Sequence, residues 1–234
     1  YVDHAFYVGQ SNKAYFKKYG FKDTELTFAP HAIDNNRFSN NAGVHLLDLR
    51  KSLHISEHDI IILYAGKFEA VKNIDLLLSA FIKLNLPGTH LLLAGNGVQE
   101  KELKQKASPF KNVHFTDFKN QTEMPALYHA ADIYCLPSYS ESWGLSVNEA
   151  MACGKAILAS NKVGCAADLV QQDQNGVVFG SGSLPDLCNK LGGLVNKGKP
   201  TLTEMGILSK KIIESWNFEN IAIAIENKLL NEKI

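Results

Sequence analysis

Arginine is almost missing from this chain. It occurs only at Arg37 and Arg50 in 234 residues. Any chemistry on phosphate groups must therefore rest on lysine and on backbone N–H groups. An excess of one charge is missing too. The 24 basic side chains balance 24 acidic ones, which excludes a nucleic-acid binder held by a global basic field. No apolar run approaches the ~20 residues of a membrane span. Ile60–Ala65 is only strand length. The four cysteines, Cys135, Cys153, Cys165 and Cys188, form no Cys-x-x-Cys pair. That excludes zinc ribbons and thioredoxin-like redox motifs, and the thiols read as buried and reduced. No Asp-x-Asp pair, internal repeat or low-complexity stretch occurs. The opening residues show no basic-then-apolar leader. Reduced thiols then point to the cytoplasm. The first residue is Tyr1 rather than Met, and the chain is read as a piece of a longer protein.

What is present is a regular alternation. The apolar runs 60–65, 90–94, 113–116, 133–136, 156–159 and 176–179 read as strands. Helical spacing separates them over 74–84, 98–106, 122–130 and 145–152. It closes the chain over 184–195, 203–214 and 218–231. Strands rich in Ile, Leu and Val on both faces, with helices between, predict an α/β fold with a buried parallel sheet. Its ligand sits beyond the carboxyl ends of the strands. The first forty residues differ. Ser11 is a plausible N-cap for a helix over 14–19 that stops at Gly20, and the polar run 34–41 reads as a linker.

Three loops at predicted strand ends carry candidate chemistry. Residues 137–154 join a strand to a helix, with Glu141 in the loop and Glu149 on the helix. Gly144 permits close backbone approach, and the helix start is an anion site flanked by two carboxylates. Carboxylates repel phosphate, so their targets are sugar hydroxyls of the same ligand. Gly66-Lys67…Lys72 follows the first buried strand and offers two compact charges for phosphate oxygens. Gly95-Asn96-Gly97 brackets a tight turn that a ligand could approach. The plainer alternative for each charged residue is a solvated surface position. A fourth loop, 117–119, joins them. His54-Ile55-Ser56-Glu57-His58 matches a zinc-protease pattern. It sits in a short polar loop before a strand, so it reads as solvated.

The order Gly66-Lys67…Lys72, Leu93-Ala94-Gly95-Asn96-Gly97, Leu127-Tyr128…Ala131-Asp132…Leu136-Pro137-Ser138, then Glu141…Glu149-Ala150-Met151-Ala152-Cys153-Gly154 resembles the C-terminal domain of family-4 retaining glycosyltransferases of the GT-B fold. The resemblance covers about 55–180. It implies a Rossmann-like half of a GT-B fold that binds a nucleoside diphosphate sugar without a metal or other cofactor. A sugar would pass to a glycan or lipid-linked acceptor, as in polysaccharide synthesis. Lys67 and Lys72 would hold the diphosphate. Glu141 would lie by the transferred sugar, and Glu149 by the ribose. Ser142, Trp143, Gly144 and Leu145 would approach the sugar and diphosphate. Gly66, Gly95, Asn96 and Gly97 would shape the pocket, and Phe118 would meet the base. Lys67 departs from the family, where Arg is common, and loses the bidentate fork.

The resemblance also divides the chain. Residues 1–40 would be the end of an N-terminal domain and the crossover, 41–215 the nucleotide-sugar domain, and 216–234 a helix returning to the missing domain. Partners would be the donor, the acceptor and that domain, with no nucleic acid and at most peripheral membrane contact. The alternatives are an epimerase or phosphorylase on the same scaffold, a binding module without catalysis, and a retaining glycosidase with its two carboxyls ~5 Å apart.

Overall fold

The computed structural model describes residues 2–40, 46–117, 119–120 and 122–231. Phe118 lies outside the described residues. The chain opens with β1 (Ala5–Tyr7), α1 (Gln10–Lys18), β2 (Leu26–Phe28), α2 (Asn35–Ser39) and α3 (Leu46–Ser52). Then follow β3 (Ile60–Ala65), α4 (Ile74–Leu84), β4 (Thr89–Ala94), α5 (Glu100–Ala107), β5 (Val113–Thr116), α6 (Met124–Ala130) and β6 (Ile133–Leu136). It ends with α7 (Leu145–Ala152), β7 (Ala156–Ser160), α8 (Ala166–Leu169), β8 (Gly176–Phe179), α9 (Leu184–Asn196), α10 (Gly198–Ile213) and α11 (Phe218–Asn231).

Strands β3 to β8 form one parallel sheet in the order β5-β4-β3-β6-β7-β8. Every residue of β3, β6 and β7 is buried, which is why these strands read as unbroken apolar runs. Each fully buried Leu or Ile side chain contributes about 1.5–3 kcal/mol. Helix α4 turns Leu77, Leu78 and Phe81 into this core. The chain runs outward from β3 to β5, returns to β6 beside β3, and then runs the other way. The strand order therefore reverses between β3 and β6, where a parallel sheet opens its crevice.

Strands β1 and β2 pair in parallel as a separate two-stranded sheet. Both are too short for periodicity to reveal. Two local expectations change. Helix α1 starts at Gln10, with Gly9 rather than Ser11 at its N-cap. The Asp168 carboxylate takes the Gln10 N–H, at 3.1 Å to each oxygen, which no local pattern announces. The polar run 34–41 is not all linker either. Asp34 caps α2 by accepting from the Arg37 N–H at 3.0 Å. Phe38 is only 1 % exposed and meets Tyr128 edge-on at 6.0 Å.

Candidate functional site

Backbone hydrogen bonds join the loops at the carboxyl ends of the strands. The Phe68 N–H donates to the Asn96 carbonyl at 2.7 Å, and the Tyr139 N–H donates to the Val71 carbonyl at 2.8 Å. Gly95 and Gly97 make the first junction possible. A Cβ on Gly95 would lie 1.9 Å from the Gly66 oxygen, and one on Gly97 2.5 Å from the Phe68 oxygen. The glycines at 95 and 97 thus serve contact between loops, whereas their spacing suggests approach of a ligand.

Two adjoining cavities lie at the reversal point. One, of about 460 Å³, is lined by Tyr64, Gly66, Lys67, Lys72, Leu136, Glu141 and Gly144–Ser146, among others. The second, of about 230 Å³, is lined by Gly66, Gly95, Lys119, Met124, Tyr128, Ser146 and Glu149, among others. Ala65, Gly66 and Ser146 line both, so they form one cleft. The loops that follow β3, β4, β5 and β6 gather around it through their described residues.

Glu141 is held rigidly. Its N–H donates to the Lys162 carbonyl at 3.0 Å, and its carbonyl accepts from the Gly164 N–H at 2.9 Å. Its carboxylate pairs with the Lys72 ammonium. Lys67 is different, with its side chain 74 % exposed and 3.8 Å from Glu69. Gly144 has φ +98, and a Cβ there would lie 2.9 Å from a Leu136 methyl. Only glycine fits this entry to α7, where the Val147 N–H donates to the Gly144 carbonyl at 2.8 Å and the N–H groups of Leu145 and Ser146, which line the larger cavity, are left without helical partners. The helix dipole adds partial positive charge there.

Glu149 lines the smaller cavity. The Tyr128 hydroxyl donates to its Oε2 at 2.6 Å. Burial pushes the Glu149 carboxyl above its ordinary range, while the Tyr128 hydrogen bond and the Arg37 charge pull the other way.

Trp143 belongs to the loop expected to approach the ligand, and its side chain lines neither cavity of the cleft. The ring is 4 % exposed. Its Nε1 donates to Asn148 Oδ1 at 3.0 Å, and Asn148 in turn donates to the His31 carbonyl at 2.8 Å. A Cβ on Gly9 would fall 2.4 Å from the ring. Trp143 therefore pins the first forty residues to α7. Ser142 lines a third cavity of about 420 Å³, with Ser11, Asn12, Tyr15, Lys162 and again Glu141. Sequence reasoning missed Tyr64, Tyr128 and Ser146 as cleft residues. Tyr128 stood in the quoted run beside Leu127, but nothing local reveals its partner. The histidines of the His-x-x-Glu-His stretch lie outside the sheet in a turn, and no metal-ligand cluster occurs among the described residues.

A D-inositol 3-phosphate glycosyltransferase from Mycobacterium sp. (strain KMS) is 26 % identical over 166 residues, covering 68 % of this chain and 37 % of that protein. A glycogen synthase from Mycobacterium tuberculosis is 36 % identical over 121 residues, or 50 % of this chain and 29 % of that one. The chain thus spans about a third of the length of these curated relatives. Among solved structures, Anabaena HepE in complex with UDP superposes with a TM-score of 0.83 at 20 % identity, covering 99 % of this chain and 64 % of that one. At that identity the likeness shows the fold, one half of a GT-B arrangement. Residues 47–206 match the family of glycosyl transferases group 1, and the chain belongs to it.

Proposed function

We propose that this chain is the donor half of a glycosyltransferase that takes a sugar from a nucleoside diphosphate sugar and passes it, with retention, to a hydroxyl of a glycan or lipid-linked acceptor. The observation that carries this reading is the two-part cleft at the strand-order reversal. One part offers Lys72 and the unpartnered N–H groups of Leu145 and Ser146, and the other offers a half-buried carboxylate. The N–H groups of α7, with Lys72 and Lys67, take the diphosphate, and Glu149 takes the ribose hydroxyls. Gly66, Gly144, Leu145 and Ser146 wall the larger cavity around the diphosphate and sugar. Glu141 faces the transferred sugar. It also lines the third cavity beside Ser11, Asn12 and Tyr15, where the acceptor hydroxyl enters. That the related Anabaena protein was crystallised with UDP supports a nucleotide ligand.

In the reaction the bond from the anomeric carbon to the diphosphate oxygen breaks, and the diphosphate leaves with the electron pair. The acceptor oxygen bonds to the same face and gives its proton to the departing diphosphate oxygen. Preorganised lysine and N–H donors stabilise the leaving charge, and a metal is not part of the reading. Residues 1–40 are read as the end of a preceding domain with its crossover, 41–215 as the donor domain, and the segment from 216 as a return helix. The short β1–β2 sheet and the contact of Phe28 with Trp216 at 6.0 Å support this division. No helix among the described residues is long and apolar enough to cross a membrane. We read the site of action as cytoplasmic, with at most peripheral membrane contact.

The test is a screen of the full-length protein against UDP-, GDP- and ADP-sugars, following release of the nucleoside diphosphate. Release from one donor that rises when a sugar acceptor is supplied is expected. Binding without release would leave the binding-module reading. The absence of any binding would overturn the donor site.

A further inference from the structure

Glu149 is held by a side chain the proposed chemistry does not yet use. Tyr128 is fully buried on α6, and its ring is clasped edge-on by Phe38 at 6.0 Å and Tyr134 at 5.5 Å. With the ring fixed, the hydroxyl has one place to go, Glu149 Oε2 at 2.6 Å. Both residues line the smaller cavity. A carboxylate at the end of a flexible stem has rotamer freedom that is lost on binding. A short hydrogen bond donated by the fixed hydroxyl to the carboxylate removes that freedom beforehand. The bond also ties α6 to α7, so the carboxylate is aimed by the packing of two helices. One clasping ring, Phe38, comes from α2, in the segment that composition alone reads as linker.

We infer that Tyr128 is a positioning residue: it aims the Glu149 carboxylate at the ribose hydroxyls and so sets the preference for a ribonucleotide over a deoxy analogue. This rests on the donor-site reading above.

The experiment titrates the full-length protein calorimetrically with UDP, GDP and ADP. It then uses the tightest of the three together with its 2′-deoxy and 3′-deoxy forms. The readout is the ratio of deoxy to ribo Kd, with the melting temperature followed in parallel. Tyr128→Phe keeps the ring and its edge contacts. It is expected to shrink the larger ratio about 3- to 10-fold by weakening the ribo form, with the deoxy Kd changing less than twofold. In the Glu149→Gln background the same substitution should change the ratio no further. Glu149→Asp keeps the charge but withdraws it from the Tyr128 hydroxyl. It should collapse the ratio in the same way, which tests the inference even if Tyr128→Phe fails to fold. A wild-type ratio in Tyr128→Phe, or an equal loss for ribo and deoxy forms, overturns the positioning role. A wild-type ratio in Glu149→Asp does so as well. If no nucleoside diphosphate binds the wild-type protein, the donor site itself falls.

Discussion

At the amino ends of the sheet strands, charge is consumed by the protein; at the carboxyl ends, much of it is left open. Asp132 sits just before β6 and accepts from the Ile61 N–H, from Arg50 at 2.8 Å and from Lys199 at 3.1 Å. Arg50 also donates to the carbonyls of Ala130, Ser56 and Asp59. Lys155, just before β7, donates to the carbonyls of His129 and Ala131. Across the sheet, Lys72 pairs with Glu141 among the described residues, Glu149 accepts from the Tyr128 hydroxyl, and Lys67, 74 % exposed, lies 3.8 Å from Glu69. The same residue types hold the fold at one rim and, on the proposed reading, take the donor at the other. What separates the two uses is the number of protein partners.

The largest expected effect lies at the consumed rim. Asp132→Ala strands the Arg50 charge, whose side chain is 12 % exposed. Breaking a buried pair costs about 3–5 kcal/mol. At about 2–4 °C per kcal/mol for a chain this size, calorimetry should show the melting temperature falling by roughly 6–20 °C. Nucleoside diphosphate affinity of the folded fraction should hold.

Next comes Lys72→Ala. A charge-assisted hydrogen bond is worth about 1.5–3 kcal/mol, so affinity should fall roughly 10- to 100-fold. The melting temperature should move less than for Asp132→Ala, because the Lys72 and Glu141 side chains, 25 % and 19 % exposed, keep contact with water, and a pair screened by solvent stabilises by about 1 kcal/mol. Lys67→Ala should show the same pattern with a smaller loss. An unchanged Kd in both variants would assign these lysines to the solvated surface.

The glutamates sharpen the contrast within the open rim. Ribose hydroxyls are present before and after transfer, so Glu149→Gln should chiefly raise the donor KM several-fold. On the proposed reading Glu141 faces the sugar, where positive charge grows as the bond breaks, so Glu141→Gln should chiefly lower kcat. Steady-state kinetics of the full-length enzyme separates the two. Equal losses of bare diphosphate affinity in both variants would contradict the division.

Acid pH gives the smallest effect. Burial pushes His129 down to about 4, and the nearby Lys155 charge adds to this. Between the unfolded value near 6.5 and about 4, the unfolded chain binds a proton that the folded chain does not. Stability should therefore fall as pH drops through that window. His129 is half-buried, and solvent screening reduces the loss to about 1 kcal/mol. Denaturant midpoints of wild type and His129→Gln should diverge between pH 7 and 4, with the variant the flatter. At the open rim, burial raises Glu149 instead, so acid should weaken ribose-dependent binding.

The sheet was legible in the sequence because a strand buried on both faces must be apolar throughout, as in Ile60–Ala65. The sheet strands and several helices begin and end within two residues of the expected positions. The Glu141 loop and the α7 start were legible because Gly144 breaks a strand-to-helix pattern. What stayed hidden depends on contacts distant in sequence. Trp143 looked like a ligand contact because it stands beside Gly144, yet its nearest partners include Gly9 and His31. Tyr128 stood in the quoted run with no role assigned, since only the fold brings α6 against α7. Gly95 and Gly97 read as a turn that a ligand could approach, and Gly95 lines the smaller cavity; spacing did not show that both glycines also seat a neighbouring loop.

The most direct measurement of the two-rim account is isothermal titration of the tightest-binding nucleoside diphosphate into Lys72→Ala and Asp132→Ala, beside their melting curves. The account predicts a crossed result. Lys72→Ala loses at least tenfold in affinity and keeps its melting temperature. Asp132→Ala loses stability and, below its transition, keeps its affinity. An Asp132→Ala protein that is folded yet binds as poorly as Lys72→Ala, or a Lys72→Ala protein that binds like the wild type, would contradict it.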